Sequence, residues 1–132
     1  MINDIENEVY TKLANILRAE FDTINLSSSY VRTPTAFPHV CIVQQDSINI
    51  KQYWTDENEY DEIMFEINIY SNKANSKKTE CKAIAKVISN AMAKLNFRRI
   101  SMNPVPNLED ASIYRIVARF NAVTDGKYIY RR

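Results

Sequence analysis

The one histidine of the chain, His39, stands two residues before Cys41, and the only other thiol is Cys81. A lone imidazole beside one thiol lacks the second ligand pair that a structural or catalytic zinc site needs. As a nucleophile and its base, the two would project from the same face of one strand, and no third group is indicated to orient the imidazole. The carboxylates Asp56, Glu57, Glu59, Asp61 and Glu62 crowd together, a pattern that suits a solvated turn better than an acid/base pair or a cation site. The single glycine, Gly126, leaves no glycine-rich loop through which phosphate could approach backbone N–H groups. No catalytic residue, metal ligand set or cofactor site is therefore assigned, and the chain reads as a non-enzyme.

The cations offer a different chemistry. Lys73, Lys77, Lys78, Lys82, Lys86 and Lys94, with Arg98 and Arg99, could neutralise phosphates without reading sequence. A net charge of +1 is not the balance of a dedicated nucleic-acid binder, so any such contact is expected to be non-specific. That small net charge hides a partition. Residues 1–70 hold 4 Lys and Arg against 12 Asp and Glu (−8), and residues 71–132 hold 13 against 4 (+9). Either the halves interleave and neutralise each other within one sheet, or each sign keeps its own side. In the second case copies could meet head to tail, acidic edge on basic edge, as a closed ring requires.

The elements that must position these groups are legible from periodicity. Ile2, Ile5, Val9, Leu13, Ile16 and Leu17 recur at helical spacing on a charged rod, acidic at its start. Thr23 to Pro38 loses the pattern and reads as a connection. Val40 to Val43 is a short apolar strand, and Ile48, Ile50, Gln52 and Trp54 alternate as a second. In a third strand Ile63, Phe65, Ile67 and Ile69 share the core face, and Glu62, Met64, Glu66 and Asn68 share the polar face. A second helix from about Ser76 to Leu95 follows, with Asn75 or Ser76 as its cap and Asn96 at its end. Phe97 to Met102 forms a fourth strand. In the fifth, Tyr114, Ile116, Ala118, Phe120 and Ala122 face the core, opposite Ile113, Arg115, Val117, Arg119 and Asn121. Asp125 and Gly126 signal a hairpin turn, after which residues 127–132 form a short strand or an arm.

The fold class is therefore α+β: an antiparallel or mixed sheet of about four main strands with two helices packed on one face, in the order α-β-β-β-α-β-β. One domain over residues 1–132 is expected, since 45% apolar and 11% aromatic residues suffice for one core. Segments 23–38 and 127–132 are expected to be mobile in the isolated protein. No apolar run approaches the ~18 residues of a membrane span, and the acidic start MINDIENEVY is unlike a secretory signal. Production in the cytoplasm and no membrane partner are the expectation. Both cysteines fall on apolar faces, as free core thiols do.

Read in order, the segments PHVCIVQQD, KKTECKAIAKVISNAMAKL and LNFRRISMNPVPNLEDASIYRIVARFNAV resemble the tail terminator, or tail completion, proteins of long-tailed bacteriophages and phage-tail-like particles. The resemblance covers most of the chain and lies in the order of elements; relatives tend to carry Gly in the turn where Asn96 stands. It implies a homo-oligomeric ring, commonly a hexamer, that caps the tail tube and presents a surface for the head or neck. The partners implied are other copies, the tube protein, and sheath and neck or connector proteins, with assembly in the host cytoplasm and a final place in the virion or tail-like particle. A neck or head-to-tail connector protein and a cytoplasmic binding module are the alternatives. The residues assigned to the subunit or partner interface are Arg98, Arg99, Arg115, Arg119, Glu62, Glu66, Tyr128, Ile129 and Tyr130. Glu62 and Glu66 are expected to oppose Arg115 and Arg119 across neighbouring strands.

Overall fold

A computed structural model describes residues 5–31, 34–50, 60–106, 112–125 and 128–130, with backbone alone over 48–50. Helix α1 (Glu6–Glu20) buries Val9, Leu13, Ala14 and Leu17. Ile16, expected in that stripe, is 39% exposed. Successive steps of four residues carry a stripe round a helix by ~40° each, so by the last turns the buried face has moved to Ala14 and Leu17 and left Ile16 behind.

Strand β1 (Asn25–Ser27) lies within the expected connection and runs parallel to the start of β2 (His39–Ile50), with Asn25 beside His39. The two strands expected at 40–43 and from 48 onward are one strand, β2. A bulge between Gln44 and Asp46 absorbs the polar run that looks like an interruption in sequence. The side chain of Glu6 in α1 accepts the Gln44 N–H at 3.0 Å, which anchors the helix start to this irregularity. Gln52 and Trp54 lie outside the described residues. Strand β3 (Tyr60–Ser71) then returns antiparallel along β2.

Helix α2 (Lys77–Lys94) follows a left-handed Asn75, φ 66°. Ser76 holds the cap position, but its side chain makes no capping bond. The turn is tied from β3 instead, where the Ser71 hydroxyl donates to Glu80 at 2.6 Å and accepts the Lys73 N–H at 3.3 Å. At the other end Asn96 is left-handed (φ 68°), Phe97 N–H reaches Met92 O at 2.9 Å and Asn96 N–H reaches Ala93 O at 3.0 Å. This pair of bonds is the Schellman arrangement, and Phe97 and Met92, both buried, supply its apolar contact.

Strands β4 (Arg98–Pro104), β5 (Tyr114–Thr124) and β6 (Ile129–Tyr130) complete an α+β fold with a mixed sheet in the order β1-β2-β3-β5-β4, β6 pairing with β5. The helices cover one face. Ile63, Phe65, Ile67 and Ile69 of β3 and Ile116, Ala118, Phe120 and Ala122 of β5 meet both helices there, as the alternation predicts. Phe65 and Phe97 stack edge to face at 5.4 Å. The strand order also decides between the two readings of charge. Ser71 ends β3, so the acidic half supplies β1, β2 and β3 and the basic half supplies β5, β4 and β6. Within the sheet the halves touch along the single seam between β3 and β5.

Both thiols are free and fully buried. Burial, with Glu80 nearby as the lesser cause, pushes the Cys81 thiol up to about 12.

Two measurements check this core. Phe120→Ala should cost about 3–5 kcal/mol in denaturant unfolding, as truncation of a buried aromatic does, whereas Asn121→Ala on the opposite face should cost less than about 1 kcal/mol. A thiol reagent at pH 8 should find neither cysteine in the folded protein and both after denaturation, since Cys81 carries no thiolate at that pH and neither sulfur is accessible.

Candidate assembly surfaces

The second face of the sheet carries the charge ladder. β3 and β5 are neighbours, but their register pairs Glu66 with Arg119, Glu62 with Val123 and Arg115 with Tyr70. Only one of the two expected glutamate–arginine pairs forms. Antiparallel strands count in opposite directions, so two pairs would need Glu62 opposite Arg119 and Glu66 opposite Arg115, a shift of four residues from the register that forms. Arg119 Nη2 donates to Glu66 Oε1 at 3.0 Å, and Gln45 Nε2 donates to the other oxygen of the same carboxylate. Glu62 accepts Asn121 Nδ2 at 3.3 Å.

Arg115 is a different kind of residue. Its Nε and Nη2 donate to Asn68 Oδ1 at 3.0 and 2.7 Å, and its guanidinium lies 5.8 Å from the Tyr30 ring centre and 5.7 Å from that of Tyr70. Arg115 thus fastens the loop after β1 onto the second face, where Val31 and Phe37 pack on Cys41, Tyr70 and Ile113. His39 and Cys41 do not work together: the imidazole Nε2 meets the Ser27 hydroxyl at 3.1 Å, and the Cys41 sulfur accepts the Val31 N–H at 3.4 Å. Burial holds His39 below its ordinary pKa. Of the acidic cluster, Asp56, Glu57 and Glu59 lie outside the described residues and Asp61 is buried. No group of three metal-ligating side chains occurs among the described residues, and no helix there is long and apolar enough to cross a membrane.

The C-terminal segment forms a hairpin strand. Asp125 accepts the Tyr128 N–H at 2.8 Å and the Tyr130 hydroxyl at 3.0 Å, and the Thr124 hydroxyl donates to Tyr128 O at 2.8 Å. Local desolvation, then the bond to Asp125, raises the Tyr130 phenol above its usual pKa. Asn96 Nδ2 donates to Ile129 O at 2.9 Å, and Ile129 packs on the core. Tyr128 and Tyr130 remain exposed.

Arg98 and Arg99 begin β4, the sheet edge. Arg98 pairs with Asn121 toward the second face and Arg99 with Phe120 toward the helices, so the two arginines point to opposite sides. The bulge between Arg99 and Ser101 leaves Ile100 unpaired and 47% exposed. Between this edge and α2 lies a groove of about 480 Å³, a feature sequence reasoning missed. Its signal was present: Lys78, Lys82 and Lys86 recur every four residues beside the buried stripe of α2, next to a strand with weak alternation.

These surfaces belong to a small α+β protein whose accessible features are sheet edges, a charged face and a groove. No family model matches the chain, and no curated protein matches it either. Among solved structures, a chain in the virion of a native gene transfer agent (GTA) particle has the same fold, with a TM-score of 0.70 and 18% identity over 90% of this chain and 92% of that one. At that identity the likeness is one of fold.

The two arginines of the second face should separate in a stability assay. Arg115→Ala removes two hydrogen bonds and two ring contacts and should cost roughly 2–3 kcal/mol, whereas Arg119→Ala breaks a half-exposed ion pair and should cost under about 1 kcal/mol.

Proposed function

We propose that the chain is a structural protein of a phage-type tail, forming a ring that caps the tail tube, stops tube polymerisation and offers the joining surface for a head or neck. The observation that carries this reading is the likeness to a virion chain over nearly the full length of both; the whole unit is shared, not a fragment. The order of elements in the sequence, which resembles tail terminators, supports it separately. The mechanism is steric. A ring that matches the tube on one side and offers no tube-binding surface on the other ends growth, and no bond is made or broken.

The proposed contact residues are Arg98 and Arg99 at the free edge, Glu62, Glu66, Arg115 and Arg119 on the second face, and Tyr128, Ile129 and Tyr130 on the hairpin. Arg115 is the weakest of these as a contact, because its donors and its cation face are already engaged within the chain. The hexamer follows the family resemblance; the tube protein, other copies and a neck or sheath protein are the partners, in the host cytoplasm during assembly and in the particle afterwards. Any contact with nucleic acid would be non-specific, at the ring lumen.

Native mass measurement with and without tube protein tests the reading. A ring is expected with tube present, weakened by high salt and by Arg98→Glu with Arg99→Glu, while the monomer keeps its cooperative unfolding. A ring that binds a head-side protein and ignores the tube would make the chain a neck connector. A persistent monomer in every mixture would leave a cytoplasmic binding module.

A further inference from the structure

We propose that residues 28–31 act as a latch on the second face of the sheet. They open as a unit while the rest of the domain stays folded, and in opening they bare a small apolar patch that the closed molecule hides. The inference concerns the isolated chain and stands apart from the assembly reading.

The buried apolar residues fall into two clusters. The larger lies under the helices, and Ile24 and Leu26 pack against it. The smaller, on the second face, comprises Cys41, Tyr70 and Ile113, with Val31, Phe37 and Val43 against it. Between Leu26 and Val31 the chain therefore passes round the β1 edge from one face of the sheet to the other.

The two ends of this passage are held differently. β1 is tied by its ladder to His39–Cys41, by Asn25 N–H to Pro38 O at 2.9 Å, and by the Ser27 hydroxyl meeting the His39 imidazole at 3.1 Å. Beyond Ser27 the ties thin out. Ser28, Ser29 and Tyr30 are exposed, and no backbone group of residues 28–31 bonds to another backbone group among the described residues. The stretch is held by the Val31 N–H on the Cys41 sulfur at 3.4 Å, by Arg115 at 5.8 Å from the Tyr30 ring centre, and by the half-buried Val31 side chain. A thiol sulfur is a weak acceptor. Tyr30 is 51% exposed, so its contact with the guanidinium is a surface one.

Opening the latch breaks these contacts and spares the sheet. Arg115 keeps both bonds to Asn68 and its place 5.7 Å from the Tyr70 ring, because those partners belong to β3. An opening that costs so few contacts lies well below global unfolding in free energy. The two buried thiols report the two events separately. Cys41 lies under the latch, whereas the Cys81 sulfur sits between α2 and the sheet, 3.8 Å from Ile69 O and 3.5 Å from Tyr114 O.

Prolonged alkylation of the full chain with iodoacetamide at pH 8 tests this, each thiol followed by peptide mass and its rate divided by that in the urea-unfolded chain. The closed protein shields both thiols, so labelling reads opening. Cys41 should label more than about tenfold faster than Cys81, with a weaker dependence on added urea. Tyr30→Ala should speed Cys41 roughly two- to fivefold and leave Cys81 unchanged. If that variant loses cooperative unfolding, hydrogen exchange of the wild type carries the test: the Val31 amide should exchange ahead of the β3 and β5 amides, with little urea dependence. Equal normalised rates for the two thiols, a Tyr30→Ala effect on both or on neither, or a Val31 amide that exchanges together with the β3 and β5 amides overturns the latch.

Discussion

The pairing of β3 with β5 is the constraint on which the rest of the molecule depends. It runs from Asp61 beside Thr124 to Ser71 beside Tyr114 without a bulge, whereas the ladders on either side, β2 with β3 and β4 with β5, each contain an irregularity. The unbroken register places four residues of β3 and four of β5 on one apolar face, and that face is what the two helices bury. A slip of one residue would turn every one of those side chains to the polar side. Burying a side chain of the size of Phe65, Phe120 or an isoleucine contributes about 1.5–3 kcal/mol, while a cross-strand charge pair contributes about 0.2–1 kcal/mol. The apolar face therefore sets the register, and the charges on the other face accept what it leaves them. Glu66 finds Arg119, Arg115 turns to Asn68 and two tyrosines, and Glu62 settles for Asn121.

The bulges on the flanking ladders have consequences at the edges. On β2 the extra residue lets one strand pass a polar run, and the freed Gln44 N–H is taken up by Glu6 of α1, so the irregularity also fixes where that helix starts. On β4 the bulge at Ile100, two arginines and Pro104 make an edge that is poorly suited to indiscriminate strand pairing. The β4 edge is thus protected, while the groove between it and α2 keeps an apolar floor.

The parity of β3 and β5 and the stripe of α2 were readable because each sustains one period over ten or more residues. So was the left-handed Asn96, because few residue types end a helix that way. What could not be read was any feature fixed by a single residue or by a distant partner. The polar run Gln44, Gln45, Asp46, Ser47 looks like a turn, since nothing local distinguishes a bulge from a break. β1 is three residues long, with no period to show, and exists because His39 to Cys41 lie alongside it. The groove was hidden for a related reason: the lysines of α2 were visible, but that β4 would sit at the edge beside them follows from strand order. The same logic explains how a chain at 18% identity can share the fold, since alternation and spacing survive substitutions that erase identity.

Strand order also gives the charge partition its physical meaning. Had the chain wound so that its halves alternated across the sheet, −8 and +9 would largely have cancelled within one subunit, and the partition would have been a curiosity of sequence. The crossover through α2 instead returns the chain to the far side of β3, and everything after Ser71 builds outward from that seam. Among the described residues, Glu66 and Arg119 form the ion pair that crosses this seam, and the other strand charges stay on their own side of it. At physiological ionic strength such charges act over about 8 Å, too short a range to cross the sheet from one edge to the other. The strands therefore keep the two signs apart across the sheet of one molecule.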